Sequence, residues 1–521
     1  MRLRQFTLIV LLAVFGLQRG SAFSLLGPFK VWQTVDVGYN LPDEIGGPVL
    51  PSEGFRWNSP TIYYGFDRAF IQYFGSNGVA AVEAAIALLN ALPAPSAMSA
   101  DLSEYPLNTR QVNNAVSSLG IYDLKSLVLS TMLEELGVAS AENFVWSLRT
   151  RRLINNTTNY SVIKLNYDPV TLRPSSYVNG ALYTYEVVEG TFPTINGPVQ
   201  GAVAAEIKLA DLRTRGYTSV ASGRGVGADP VFSAEQDPFT GDLTFSSGTF
   251  SSGEYVLGLT RDDVGALRRL YSRNTLAVED LSLDTLASTT SGGGGPWDIP
   301  IIVTNGVTIT NNFLALRGGR EKVTFKRVEY DSLIGNVFQP FNYTYTDTYI
   351  QGGQFKSRQA TRTIIRPDIL FTVGDIGVSA TLLPVFSTRT PTTFWRSFTA
   401  VNRDPTFSVS GVVQDVGPGV IEGPIDITFN SLLPVYFNVP SANTEADAFF
   451  FAWGSFDGSA DAPVIYPTFG DLSVSLLTRL ATGGANGGAS TPWDIAPFLT
   501  VTTNGTGQVT AGTGAGGGTT P

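Results

Sequence analysis

Histidine and cysteine, which carry most nucleophilic and zinc chemistry, are both absent from the 521 residues of this chain. Without them no Ser-His-Asp or Cys-His nucleophile can be assembled, and zinc loses its preferred nitrogen and sulfur ligands. Carboxylate chemistry stays open, because glycoside hydrolysis needs only two acidic side chains suitably spaced across a cleft. Glu134, Glu135, Glu186, Glu189, Glu206 and Asp211 are the acids to consider. Glu134 and Glu135 are neighbours on an expected helix and diverge by about 100°, so they cannot pair with each other. Calcium, a hard and oxygen-seeking cation, is the metal the composition still allows. Asp237 with Asp242, and Asp457 with Asp461, put oxygen donors into Gly-containing loops. Neither pair has the EF-hand spacing, and Asp and Gly are ordinary turn residues, so the turn reading is preferred. No cofactor is expected beyond that calcium option. The loop Gly223-Arg224-Gly225-Val226-Gly227 lacks the Lys-Ser/Thr of a phosphate-binding loop and is set aside.

Aromatic side chains offer a second kind of chemistry, stacking on sugar rings or anchoring a partner. Trp297 and Trp493 sit in two copies of Pro-Trp-Asp-Ile, each following a Gly-rich stretch, and Phe449, Phe451 and Trp453 alternate along one strand-like run. These five residues are the binding candidates. The competing reading, a core tryptophan and the inner face of a strand, is favoured for both groups because buried aromatics dominate core energetics. Phe450 between them points the same way, since a run apolar on both faces reads as a buried strand.

The elements that hold these residues divide into two styles. Arg2 and Arg4, an apolar run from Phe6 to Leu17 and the small residues Gly20, Ser21 and Ala22 describe an export signal cut after Ala22. The expected organisation is a signal peptide over 1–22, an α+β module over 23–286 and a Gly-rich linker over 287–299. An all-β, sandwich-like module over 300–480 and a Gly/Thr-rich segment over 481–521 complete it. In the first module Thr61 to Phe66 reads as a strand, followed by an alanine-rich helix opening at Asn77-Gly78 and stopped by Pro93. A second helix is expected from Leu124 to Leu136 with Gly137 as its C-cap, and a third begins at Thr260 with Asp262 and Asp263 in its first turn. In the second module Ile425, Ile427 and Phe429 alternate with Asp426, Thr428 and Asn430, as in a strand with one wet face.

The order of elements in the first module resembles the matrixin-like metzincin proteases. Tyr63 to Asn90 is similar to the family's opening strand and first helix, and Leu259 to Tyr271, LTRDDVGALRRLY, to its closing helix. Between them STMLEELGV, Ser130 to Val138, stands where the family carries its zinc helix. In that register Ser130 and Glu134 occupy the two histidine positions and Thr131 the position of the catalytic glutamate. No third histidine follows, nor a methionine for the Met-turn. The resemblance thus implies a scaffold that has lost its zinc chemistry. Over its whole length the chain also resembles large exported bacterial proteins of unassigned function.

A net charge of -10 argues against nucleic acid and anionic membrane surfaces as partners. No apolar segment after the signal is long and uninterrupted enough to span a bilayer, so the mature chain is expected not to cross one. The preferred expectation is an exported, non-catalytic structural or binding protein of the cell envelope or extracellular space, with a cell-surface glycan or protein as partner. A carboxylate-based glycan hydrolase and a metzincin-derived pseudoenzyme that binds peptides are the alternatives.

Overall fold

The structure is a computed structural model. It describes residues 20–28, 45–117, 121–139, 141, 145–192, 199–209, 253–279, 281–282, 284–287, 315–374 and 419–430. The short strands 235–236, 243–244, 302–304, 307–309, 394–396, 400–401, 432–435, 447–450, 453–456, 464–466, 500–503 and 509–512 are described as well. The fold is mixed, strand-rich with few helices.

Among the described residues three helices of more than ten residues carry the helical part, beside single turns at Pro95–Ala97 and Asn114–Ser117. Helix α1 spans Arg68–Ala91 and begins at Asp67, whose carboxylate accepts the Phe70 N–H at 2.8 Å. The sequence placed its start at Asn77-Gly78. The cap at Asp67 moves it nine residues earlier, and Gly75, at φ 62°, marks a break between an aromatic first segment and the alanine-rich remainder. Phe70, Phe74, Val82, Ala85, Ile86 and Leu89 form its buried stripe. By length and composition alone α1 could cross a bilayer, but this stripe packs on a sheet. Helix α2 spans Leu124–Glu135, and Gly137 follows at φ 92°. A side chain there would meet the Phe55 carbonyl oxygen at 2.1 Å, so glycine is required. Helix α3 spans Arg261–Tyr271 behind Thr260, which forms a capping box with Asp263.

The sheet under α1 contains β1 (Thr61–Phe66), β2 (Thr324–Arg327), β3 (Ile369–Gly374), β4 (Phe394–Arg396) and β5 (Ile425–Asn430). Their order is β2-β1-β3-β5-β4, parallel except for the edge strand β4. β1 precedes the Gly-rich seam, and both of its neighbours follow it. The two stretches that read as separate modules therefore share one sheet. Phe66 stacks on Phe371 at 5.6 Å between ring centres, Phe371 on Phe429 at 6.4 Å, and Trp453 meets Phe429 edge-on at 5.5 Å. Phe70 and Phe74 of α1 close this aromatic layer from above.

A second five-stranded sheet is antiparallel, ordered 277–279, 315–317, 341–351, 354–364 and 285–287. Its long hairpin keeps Asn342, Thr344, Thr346 and Thr348 in solvent and buries Tyr345 and Asp347, the alternation of a sheet with one wet face. A further hairpin pairs Ala181–Phe192 with Val199–Leu209 and sets Glu186 directly opposite Glu206 in register.

Candidate functional site

Helix α2 holds the positions that resemble a metal helix. Every residue on it except Lys125 is buried, including Ser130, Thr131 and Glu134. Thr131 turns its hydroxyl back onto the Leu127 carbonyl at 2.9 Å. The end of the helix is tied down from outside: the Trp57 indole N–H donates to the Glu135 carbonyl at 2.7 Å, and the Tyr271 hydroxyl to that of Leu136 at 3.1 Å. The three positions thus lie in the core, away from any open surface. Among the described residues no group of three or more metal-ligating side chains comes together.

Buried charge is concentrated in an arginine–carboxylate network that the sequence did not announce. Asp347 accepts from Arg317 at 2.9 and 3.0 Å, from Arg358 at 3.0 Å and from Arg320 at 3.2 Å. Burial alone would raise its carboxyl, but the three guanidiniums outweigh it and hold the group at about 2. Burial would lower Arg317, but Asp347 more than offsets it and holds the guanidinium above its usual range, whereas burial wins at Arg358 and draws it below. Arg56 pairs with Glu279 at 2.6 Å and also donates to the carbonyls of Leu270 and Thr275, joining α3 to the antiparallel sheet. Arg362 bridges Asp284 and Asp368 at 2.7 and 2.6 Å. These contacts fasten the second sheet to the helical part and leave their carboxylates engaged.

Other acids are caps. Asp123 accepts the Ser126 and Phe456 N–H groups at 2.8 Å each, and burial pushes its carboxyl up to about 6. Asp67, at the carboxyl end of β1 beside β3, also accepts from the Thr372 hydroxyl at 2.5 Å. That is the switch point of the parallel sheet, where open α/β folds often bind ligands, yet here the carboxylate is occupied by the helix and by Thr372.

An open cleft of about 400 Å³ lies at the carboxyl end of α3. Arg269, Arg273, Ser96, Asn274, Thr275 and Leu172 help to line it. Arg268, on the same wall, donates to the carbonyls of Ser99, Ala100 and Pro169 and so belongs to the scaffold. Arg273 is different: its side chain is 66% exposed, with Glu321 at 3.6 Å. Burial acts upward on Glu321, but hydrogen bonds from Ser96 and the Arg273 backbone leave its carboxyl below the usual range. Cations here also suit the negative end of the helix. A neighbouring apolar hollow beside Leu89, Met98 and Phe325, about 50 Å³, has room for little more than water.

The sequence-derived candidates fall in different places. Trp453 is fully buried in the aromatic layer, as the core reading expects. Phe449 lies in strand Asp447–Phe450 opposite Leu433. Trp297, Trp493, Phe451, Asp211, Asp237, Asp242, Asp457 and Asp461 lie outside the described residues. Sequence reasoning missed the cleft. Its only signal was the cluster Arg268-Arg269 and Arg273 around a helix end, which reads equally well as a match to the helix dipole. Comparison with protein-family models, with curated proteins and with solved structures gives no match.

Proposed function

We propose that this chain is an exported, non-catalytic binding or structural protein of the cell envelope or extracellular space, with the cleft beside Arg273 as its ligand face. The observation that carries this is how the acids are spent. Asp123, Asp262 and Asp263 serve helix termini, while Glu254, Glu279, Asp284, Asp347 and Asp368 are bonded to arginines. A general acid or base must face substrate, and these groups face the fold. The cleft, by contrast, sets guanidinium groups on a chain whose net charge is -10. Arg recognises carboxylates with two parallel hydrogen bonds, and Ser96, Asn274 and Thr275 suit sugar hydroxyls. A glycan bearing uronic acids is therefore the ligand class we favour. The test is retention on such a glycan: Arg273→Ala should weaken it about tenfold, and unchanged retention would remove the cleft from the account.

The hydrolase alternative draws on one observation, the register that opposes Glu186 and Glu206. The peptide-binding pseudoenzyme fares worse, because β1 is paired on both edges and offers no edge for strand addition. Helices at 68–91, 124–135 and 261–271 support the metzincin-like order, and the antiparallel hairpin over 341–364 is the part of the second stretch that fits a sandwich. We keep both as the finer architecture of the proposal.

A further inference from the structure

Gly20, Ser21 and Ala22 read as the small residues that end an export signal, with the cut after Ala22. The fold puts them to another use. Ser21 is 5% exposed and Ala22 0%. The Ser21 hydroxyl and the Ala22 N–H, the latter at 2.9 Å, both donate to one carboxylate oxygen of Asp262. The other oxygen takes the Asn179 N–H at 2.6 Å. Asp262 is itself fully buried in the first turn of α3. Directly after Ala22, Phe23 exchanges two hydrogen bonds with Tyr167, at 3.0 and 2.8 Å. The chain then enters strand Ser24–Pro28, between Ile45–Val49 and Val138–Ala139. The ordered body of the protein therefore begins ahead of Phe23.

We propose that Ser21 and Ala22 are retained in the mature protein, the export segment being removed at the Gly20–Ser21 bond instead of after Ala22. The proposal rests on the reading of the chain as exported. Water adds across that peptide bond, giving a carboxylate on Gly20 and an α-ammonium group on Ser21. Gly20 is the small residue before that bond, but Gln18 stands where the pattern wants a second one, so retention of Ser21 and Ala22 rests on their burial. The cut precedes folding, so burial of the new end is no obstacle to it. A cut after Ala22 would instead take both of these donors from the Asp262 carboxylate. Burial raises the Asp262 carboxyl well above the usual range even with those donors in place, their hydrogen bonds pulling the other way.

Export of the full chain from a bacterial host, followed by N-terminal sequencing of the released protein, tests this. A first residue of Ser21 supports the proposal. A first residue of Phe23 overturns it while leaving export intact, and an uncut chain beginning at Met1 overturns export as well. As an independent measurement, chains made to begin at Ser21 and at Phe23 should differ in melting temperature by roughly 3–6 °C, the shorter being lower. Equal melting would show that Asp262 does not need Ser21 and Ala22, and would overturn the proposal.

Discussion

Replacing Asp347 by Asn keeps the side-chain volume and removes the single negative charge shared by Arg317, Arg320 and Arg358. The magnitude follows from two features. The carboxyl is held at about 2 against an ordinary 3.8, so the fold favours its charged form by about 2.5 kcal/mol. The amide must also point its NH₂ at guanidinium donors, and Arg317 and Asp347 are both buried. Breaking a buried pair by removing one partner typically costs about 3–5 kcal/mol, and the upper part of that range is expected here. Urea unfolding at pH 7, followed by tryptophan fluorescence, should show a lower midpoint with an unchanged slope. The pH dependence gives a second check. Because the folded value lies below the unfolded one, this contribution is present above about pH 4 and is lost as the pH falls towards 2. The gap between the two proteins should therefore narrow on acidification. A loss of less than about 1 kcal/mol at pH 7, or a gap independent of pH, would refute the idea that the Asp347 charge holds these three arginines together on the antiparallel sheet.

Four further outcomes are expected. Asp123→Asn should lower stability at pH 7 by about 1–2 kcal/mol, since the two carboxylate oxygens accept separate N–H groups, from Ser126 and Phe456, and an amide must turn its NH₂ toward one of them. Its carboxyl is raised to about 6, so the wild-type contribution is full below about pH 4 and is lost as pH rises through 6, and the variant's deficit should be larger at pH 4 than at pH 7. Trp453→Ala should cost about 3–5 kcal/mol in a denaturant titration without altering glycan retention of the folded protein, because it removes core packing. Thr260→Ala should cost about 1 kcal/mol through loss of the α3 cap, measured by the same titration. Arg273→Ala should leave the melting temperature within about 1 °C while weakening retention on an acidic glycan, as fits an exposed side chain with a weak ion pair.

Local signals proved readable where the physics is local. Thr260 with Asp263, and Gly137 after α2, could be placed because caps depend on a few adjacent residues. The start of α1 was missed because Asp67 follows a strand without a break, and Gly75 and Asn77-Gly78 drew attention to a later point. The joining of β1 to β2 and β3 could not be read at all. Those strands are separated by more than 250 residues in sequence, and nothing in their periodicity names a partner. The same holds for Asp347: its alternating Thr and Tyr neighbours mark one wet face, but only the fold brings Arg317, Arg320 and Arg358 to it. Trp453 was legible as core from the apolar run around it. The cleft was not, since Arg269 and Arg273 become a wall only when Ser96 and Glu321 are folded against them.

If this chain binds an acidic glycan and leaves it intact, one sample can show both. The purified full chain is incubated with a uronic-acid polysaccharide, and bound protein and released reducing ends are measured together. Saturable binding that weakens with salt is expected, with no reducing ends above the protein-free control. Reducing ends that accumulate with time, and disappear when Glu186 and Glu206 are both replaced by Gln, would contradict it.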